Sequence, residues 1–383
     1  MKKLRIIIFL LIILAVFVFG YFQLGIRPRV EQNASEIKVP PGFKIEVFAE
    51  GLSASPASYP GPNDGPRFLE IKDGVLFTSL MRQGKVVALP DKDGNGKADG
   101  AVTVIEGLRN PHGIVFSDGW FYVAEENRIS RFKLEGLKAD KNTLEVLFDN
   151  LPSGGHITRT IRISNDTLYL SIGSSCNVCY EEDERRAAIS ACSIENKTCL
   201  VIAKGLRNSV GMIFYDGKLW ATDNGRDMIG EDVPPEEINI IREGKNYGWP
   251  VCYGNRIHDT DFDKNVYIRN PCEDTEPPVF EMQAHSAPLG LTFYNGNNFP
   301  EEYQGNLFVA FHGSWNRNIP TGYKIVRIHM EDGVPKNIED FATGWLKNFT
   351  VTGRPVDLIV GDDGSLFVSD DNAGKIYRIY YQK

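Results

Sequence analysis

Three kinds of side chain in this sequence are spaced for chemistry. Histidines stand at His112, His156, His285 and His312, arginines at Arg159, Arg207, Arg317 and Arg354, and amides accompany them at Asn110 and Asn208. Imidazole exchanges protons near neutral pH, and a guanidinium fork grips carboxylates. Two loops belong with them. Asp223-Asn224-Gly225-Arg226-Asp227 holds too many charged and turn residues to be a mere connection, and Asp370-Asp371-Asn372 has the same character. Each residue alone has an ordinary reading as solvated surface, so the group carries meaning only if the fold gathers it.

The elements that must do the gathering repeat. A turn of the Asp-Gly type recurs at Asp73-Gly74, Asp118-Gly119, Asn165-Asp166, Asp216-Gly217, Gly305-Asn306 and Asp363-Gly364. Each lies between short apolar runs, which read as β-strands. A strand follows each turn, as in Phe121-Tyr122-Val123 or Leu219-Trp220-Ala221, and most units carry a further one, such as Ile238-Asn239-Ile240. The spacing of roughly 45–60 residues is near that of a propeller blade. Six units predict an all-β, six-bladed β-propeller over residues 39–383, with an insertion at about 243–284. Phe43 to Phe48 reads as the outer strand that completes the last blade and closes the ring.

In such a ring the inner strand of each blade starts at one face, and the loop between the second and third strands returns there. That places Asn110 and His112, His156 and Arg159, Arg207 and Asn208, His285 and Ser286, and Arg354 around one mouth of the channel. The loops Cys176–Cys179, Asp223–Asp227, His312–Arg317 and Asp370–Asn372 join them.

The remaining signals concern location and metal. Residues 1–24 begin with a basic stretch and continue with the apolar run Ile6–Phe22, of about 17 residues, near the lower limit for a span. We read them as an uncleaved signal-anchor helix, with a cleaved signal peptide as the alternative. Residues 25–38 form a polar linker, and the rest is exported and extracytoplasmic. The net charge of −8, with no basic stripe, excludes nucleic acid as a partner. Six cysteines in an exported chain predict disulfides. Their connectivity is open, with Cys252–Cys272 the simplest pair because it brackets the insertion. Cys176 and Cys179 lack the following His of a haem attachment site, since Tyr180 stands there. The loop Asp91, Asp93, Asn95, Lys97, Asp99 has calcium-loop spacing, but Val102 stands where an EF-hand needs Glu. A metal-free Asp/Gly turn is the alternative.

These residues fall in words that resemble the soluble pyrroloquinoline-quinone-dependent sugar dehydrogenases, most closely the L-sorbosone dehydrogenase-like branch. The words include Gly155-His156-Ile157-Thr158-Arg159, Gly205-Leu206-Arg207-Asn208, Asn246-Tyr247-Gly248-Trp249-Pro250, His312-Gly313-Ser314-Trp315-Asn316-Arg317 and Gly353-Arg354-Pro355-Val356. The resemblance implies pyrroloquinoline quinone and Ca²⁺ as cofactors, a small sugar as substrate, and oxidation of an aldose or aldehyde-bearing sugar to a lactone or acid. It implies His156 as general base, Arg207 and Asn208 as cofactor ligands, and Arg354 and Arg317 as cationic contacts. It also implies the main-chain carbonyls of Gly225 and Arg226 as calcium ligands. Two positions depart from the pattern. Ser174 stands where glucose-oxidising members have Asp, and Val356 replaces a second arginine. The alternatives are a calcium-dependent lactonase and a cofactor-free binding propeller. The electron acceptor is not implied by any residue.

Overall fold

The computed structural model describes residues 34–54 and 63–382. It is a ring of six antiparallel sheets, the six-bladed propeller expected from the repeats. The innermost strands are Leu69–Lys72, Ile114–Ser117, Arg159–Ser164, Met212–Tyr215, Pro288–Phe293 and Pro355–Val360, in blades 1 to 6. Four of the inner hairpins turn on two consecutive residues with positive φ: Asp73-Gly74, Asp118-Gly119, Asn165-Asp166 and Asp216-Gly217. This left-handed pair matches the right-handed twist of the strands it joins, and Asp, Asn and Gly tolerate it best.

The ring closes as predicted. Phe43–Ala49 pairs antiparallel with Lys375–Tyr381 and becomes the fourth strand of blade 6. Phe43 anchors it, edge-on to Phe299, Phe341 and Tyr381 at 4.7–5.1 Å between ring centres. The insertion runs between the third and fourth strands of blade 4, Glu236–Ile241 and Phe280–Met282. It sends Lys245–Asn246 to blade 3 as a fifth, parallel strand. The Cys252–Cys272 disulfide ties it, and Cys176–Cys179 and Cys192–Cys199 complete the pairing. The anchor segment, residues 1–24, and linker residues 25–33 lie outside the described residues. Among the described residues no helix is long and apolar enough to cross a membrane.

Hydroxyl groups lock neighbouring blades at the channel. Ser79 Oγ donates to the His112 carbonyl at 2.8 Å, Ser171 Oγ to that of Ser209 at 2.6 Å, and Thr222 Oγ1 to that of Leu289 at 2.8 Å. Ser369 Oγ donates to the Arg67 carbonyl across the closing seam. Each bond satisfies a carbonyl that the strand ladder leaves open. The axis itself is filled. Phe68, Val210, Leu289 and Val356 form a buried apolar plug from four blades, and the His112 ring packs on Phe68 at 4.3 Å. Val356 serves the plug.

Candidate active site at the mouth of the channel

Above the plug lies a cup of about 320 Å³. His156, Arg207, Asn208, Gly225, His285, His312 and Arg354 line it, with Arg67, Asp227, Glu236 and Asn316. A larger groove of about 870 Å³ lies between the insertion and the Tyr180–Ala187 stretch, but no histidine faces it. The cup therefore holds the constellation suited to proton and anion chemistry.

Carboxylates at the ends of second strands present the arginines. Asp223 accepts the main-chain N–H of Arg207 at 3.0 Å, that of Asn208 at 2.8 Å, and the Ser209 hydroxyl at 2.9 Å. Asp370 accepts the N–H of Arg354 at 2.8 Å in the same manner. Both carboxyl groups are buried, and such acceptors fix a turn tightly because their alternative is an unsatisfied buried polar group.

His156 is held by Ser174. Its Nδ1 lies 3.0 Å from both the carbonyl and the hydroxyl oxygen of Ser174. A carbonyl only accepts, and the hydroxyl proton is committed to the Cys176 carbonyl at 2.6 Å. Nδ1 therefore carries the proton and Nε2 keeps its lone pair. Burial, reinforced by the Arg207 charge, pushes the His156 pKa down to about 4, so the ring is neutral at physiological pH. Serine thus fixes the orientation of the ring.

His312 has a different support. Its Nε2 lies 2.9 Å from Asp371, which also binds Arg67. Burial, then the Arg354 charge, holds His312 at about 4 as well. Arg354 donates from Nε to the His312 carbonyl at 3.0 Å and from Nη2 to that of Gly313 at 2.6 Å.

Several expected residues sit elsewhere. Arg317 does not line the cup. It turns to Asp232 at 3.0 Å and to Glu231, because that acidic pair lies beside it on the blade 4 loop. His112 is buried in the plug, and the Arg159 guanidinium is spent on the carbonyls of Pro152, His156 and Thr158. Arg226, expected to contribute only its main-chain carbonyl, sends its side chain to Asp259 of the insertion at 2.6 Å.

The Asp91–Asp99 loop is also remote, packing on the closing strand through Ala98 N–H to the Phe48 carbonyl at 2.8 Å. Its carboxylates cap the loop itself. Asp91 accepts from the N–H of Asn95 and Gly96, Asp93 from Asn95, and Asp99 from Lys92, while Lys97 N–H binds Asn95. The three carboxylates do not gather within 4.8 Å of one another. The double change Asp91→Asn, Asp93→Asn is expected to leave any calcium-induced rise of the thermal midpoint unchanged. Loss of the calcium response in melting curves would place an ion in this loop.

The cup also contains two residues the sequence reading did not select, Arg67 and Glu236, while Asp227 and Asn316 arrive with loops it did select. Of these two, Arg67 has a usable signal, since it stands two residues before the first inner strand. Three features fit a bound anion and cation. Arg67 Nε and Asn316 Oδ1 are buried without a hydrogen-bond partner, a state that native proteins rarely leave uncompensated. The carbonyls of Gly225 and Arg226 accept no hydrogen bond among the described residues. Burial raises Glu236 to about 7, and its carboxylate binds the N–H of Gly225 at 2.9 Å and of Ala287 at 3.1 Å.

Known proteins share this framework. An uncharacterized protein of Borreliella burgdorferi is 34% identical, with 96% of this chain and 99% of that one covered. The pyrroloquinoline quinone-dependent pyranose dehydrogenase of Coprinopsis cinerea is 25% identical over 92% of this chain, and the chain spans 55% of that enzyme. The solved Trichoderma reesei carbohydrate-active enzyme of family AA12 has the same fold, at a TM-score of 0.75 and 23% identity over 90% of this chain and 97% of that one. The holo PQQ domain of the Coprinopsis enzyme superimposes at 0.74 with 21% identity, covering 92% and 98%. The family match runs from residue 38 to 382, nearly the whole described propeller, and on it this chain belongs to the TrAA12-like family.

Proposed function

We propose that this chain is a quinone-dependent dehydrogenase that oxidises an aldose or aldehyde-bearing sugar, sorbosone-like in class, to a lactone or acid. One observation carries the reading: a neutral histidine with an open lone pair faces a cup whose other walls hold Arg67, Arg207 and Arg354. The Coprinopsis relative, named for the quinone and for pyranose, supports the substrate class. In this reading Arg207, Asn208, Arg354 and Arg67 hold a flat polycarboxylate by charge-assisted bonds. The carbonyls of Gly225 and Arg226 ligate Ca²⁺, a hard cation that prefers oxygen. Pyrroloquinoline quinone, when bound, supplies the two-electron acceptor, and Ca²⁺ supplies the Lewis acid that polarises it. The protein moves the proton. His156 Nε2 accepts it from the sugar hydroxyl as the carbon gives up its hydride. The apolar plug keeps water from entering through the channel.

His312 is the second reading for the base, favoured by its Asp371 contact. The three disulfides support export, and in this proposal residues 1–24 tether the enzyme to the membrane. Purified protein, reconstituted with the quinone and Ca²⁺, is expected to reduce a dye when given aldoses. Lactone hydrolysis without quinone would instead establish the lactonase alternative.

A further inference from the structure

Arg207 is held in the wall of the cup by a residue of the loop that the Cys176–Cys179 disulfide closes. That residue is Asn177. Its main-chain carbonyl accepts from Arg207 Nε at 2.9 Å, and its side-chain carbonyl accepts from Arg207 Nη2 at 3.0 Å. The same Oδ1 accepts the Asp227 N–H at 2.8 Å, and Nδ2 donates to the Asp227 carbonyl at 3.0 Å. Trp249 Nε1 approaches the Asn177 carbonyl from the insertion at 3.4 Å.

This arrangement orders the guanidinium before any ligand arrives. A guanidinium has five N–H donors. Nε–H goes to Asn177. The two N–H of Nη2 go to Asn177 and, at 3.3 Å, to Asp227, and one of Nη1 goes to the Asn224 carbonyl at 3.3 Å. One Nη1 donor is then left for a ligand. Asn177 also holds both main-chain groups of Asp227. The Asp227 carboxylate is thereby shared between Arg207 and Asn316 Nδ2, which it binds at 2.8 Å. A short side chain that both accepts and donates is needed for these contacts, and asparagine is one. Prior ordering of a long cationic side chain lowers the entropy lost on binding.

We propose that Asn177 is a positioning residue that presents Arg207 to an anionic group of the ligand in the cup, and that the Cys176–Cys179 disulfide keeps it in place. The inference rests on the quinone reading of the cup. The test uses the full chain and three variants: Asn177→Ala, the pair Cys176→Ser with Cys179→Ser, and the distant control pair Cys252→Ser with Cys272→Ser. Pyrroloquinoline quinone binding with Ca²⁺ is titrated by fluorescence, and each variant is crystallised without quinone. Asn177→Ala is expected to bind the quinone at least about tenfold more weakly, the size of one lost charge-assisted bond. In its unliganded crystals the Arg207 guanidinium leaves its place. The Cys176/Cys179 pair shows a smaller loss, and the control pair none. If Asn177→Ala fails to fold, the Cys176/Cys179 pair decides by the same two measurements. Wild-type affinity, or an unmoved Arg207, overturns the inference while leaving the quinone reading intact. If the wild type binds no quinone, the quinone reading fails, and the position of Arg207 in the unliganded variant alone decides the role of Asn177.

Discussion

Replacing His156 by alanine is expected to lower turnover about 10²–10⁴-fold, the usual worth of a positioned general base, while quinone binding stays near the wild-type level. The expectation follows from the tautomer. Ser174 fixes the proton on Nδ1, so Nε2 is the ring's open acceptor. It also carries a pH signature. The base works only when neutral, and its pKa in the unloaded protein is about 4. The kcat/KM of the wild type should therefore be flat across neutral pH and fall as pH drops through about 4. A histidine at its ordinary value would already be failing near 6.5. His312→Ala is the discriminating companion, because His312 titrates in the same range. If that variant loses the larger factor, with quinone still bound, the base is His312.

Removing the Arg207 charge should produce the second largest effect, read in two independent ways. Arg207→Ala loses at least one charge-assisted bond to the ligand, worth about 1.5–3 kcal/mol, or roughly 10- to 150-fold in quinone affinity. It also removes the cation that, after burial, does most to depress His156. Taking away a neighbouring positive charge favours the protonated ring, so the His156 pKa rises from about 4. An NMR titration of the imidazole measures this without any cofactor. Arg207→Lys separates the two roles. It keeps the charge and most of the depression of His156, but it loses the planar fork and with it much of the affinity. An unchanged His156 titration in Arg207→Ala would show that the two side chains do not share the cup.

The propeller was legible because its hairpin turns have a strict backbone requirement. Positive φ at Asp73-Gly74 or Asp216-Gly217 admits few residue types, so the sequence marks the turn and the turn marks the blade. Closure by Phe43–Ala49 was legible for a related reason: an apolar run before the first blade must cover an open edge. The mouth was legible in part. Strand direction alone sends His156, Arg207 and Arg354 to one face. It does not say which way a long side chain turns once there. Arg317 is diverted by Glu231 and Asp232, more than 80 residues earlier in the chain, and no local pattern records that. Arg67 was missed because the first unit was recognised from the turn at Asp73, leaving the residues before its inner strand unread. Asn177 was hidden for a deeper reason. It is one of two residues between paired cysteines, and its importance lies entirely in which distant groups that short loop brings to it.

The plug beneath the cup has a kinetic corollary. With Phe68, Val210, Leu289 and Val356 closing the axis, the cup has one entrance. An oxidised sugar must leave by the route its successor uses, and so must any acceptor that has to reach the cup to collect the electrons. If both must bind within a cup of about 320 Å³, they bind in turn. Turnover with such an acceptor then proceeds by alternation. Initial rates measured against sugar at several acceptor concentrations should give parallel double-reciprocal lines, and an excess of either reactant should inhibit by blocking the other.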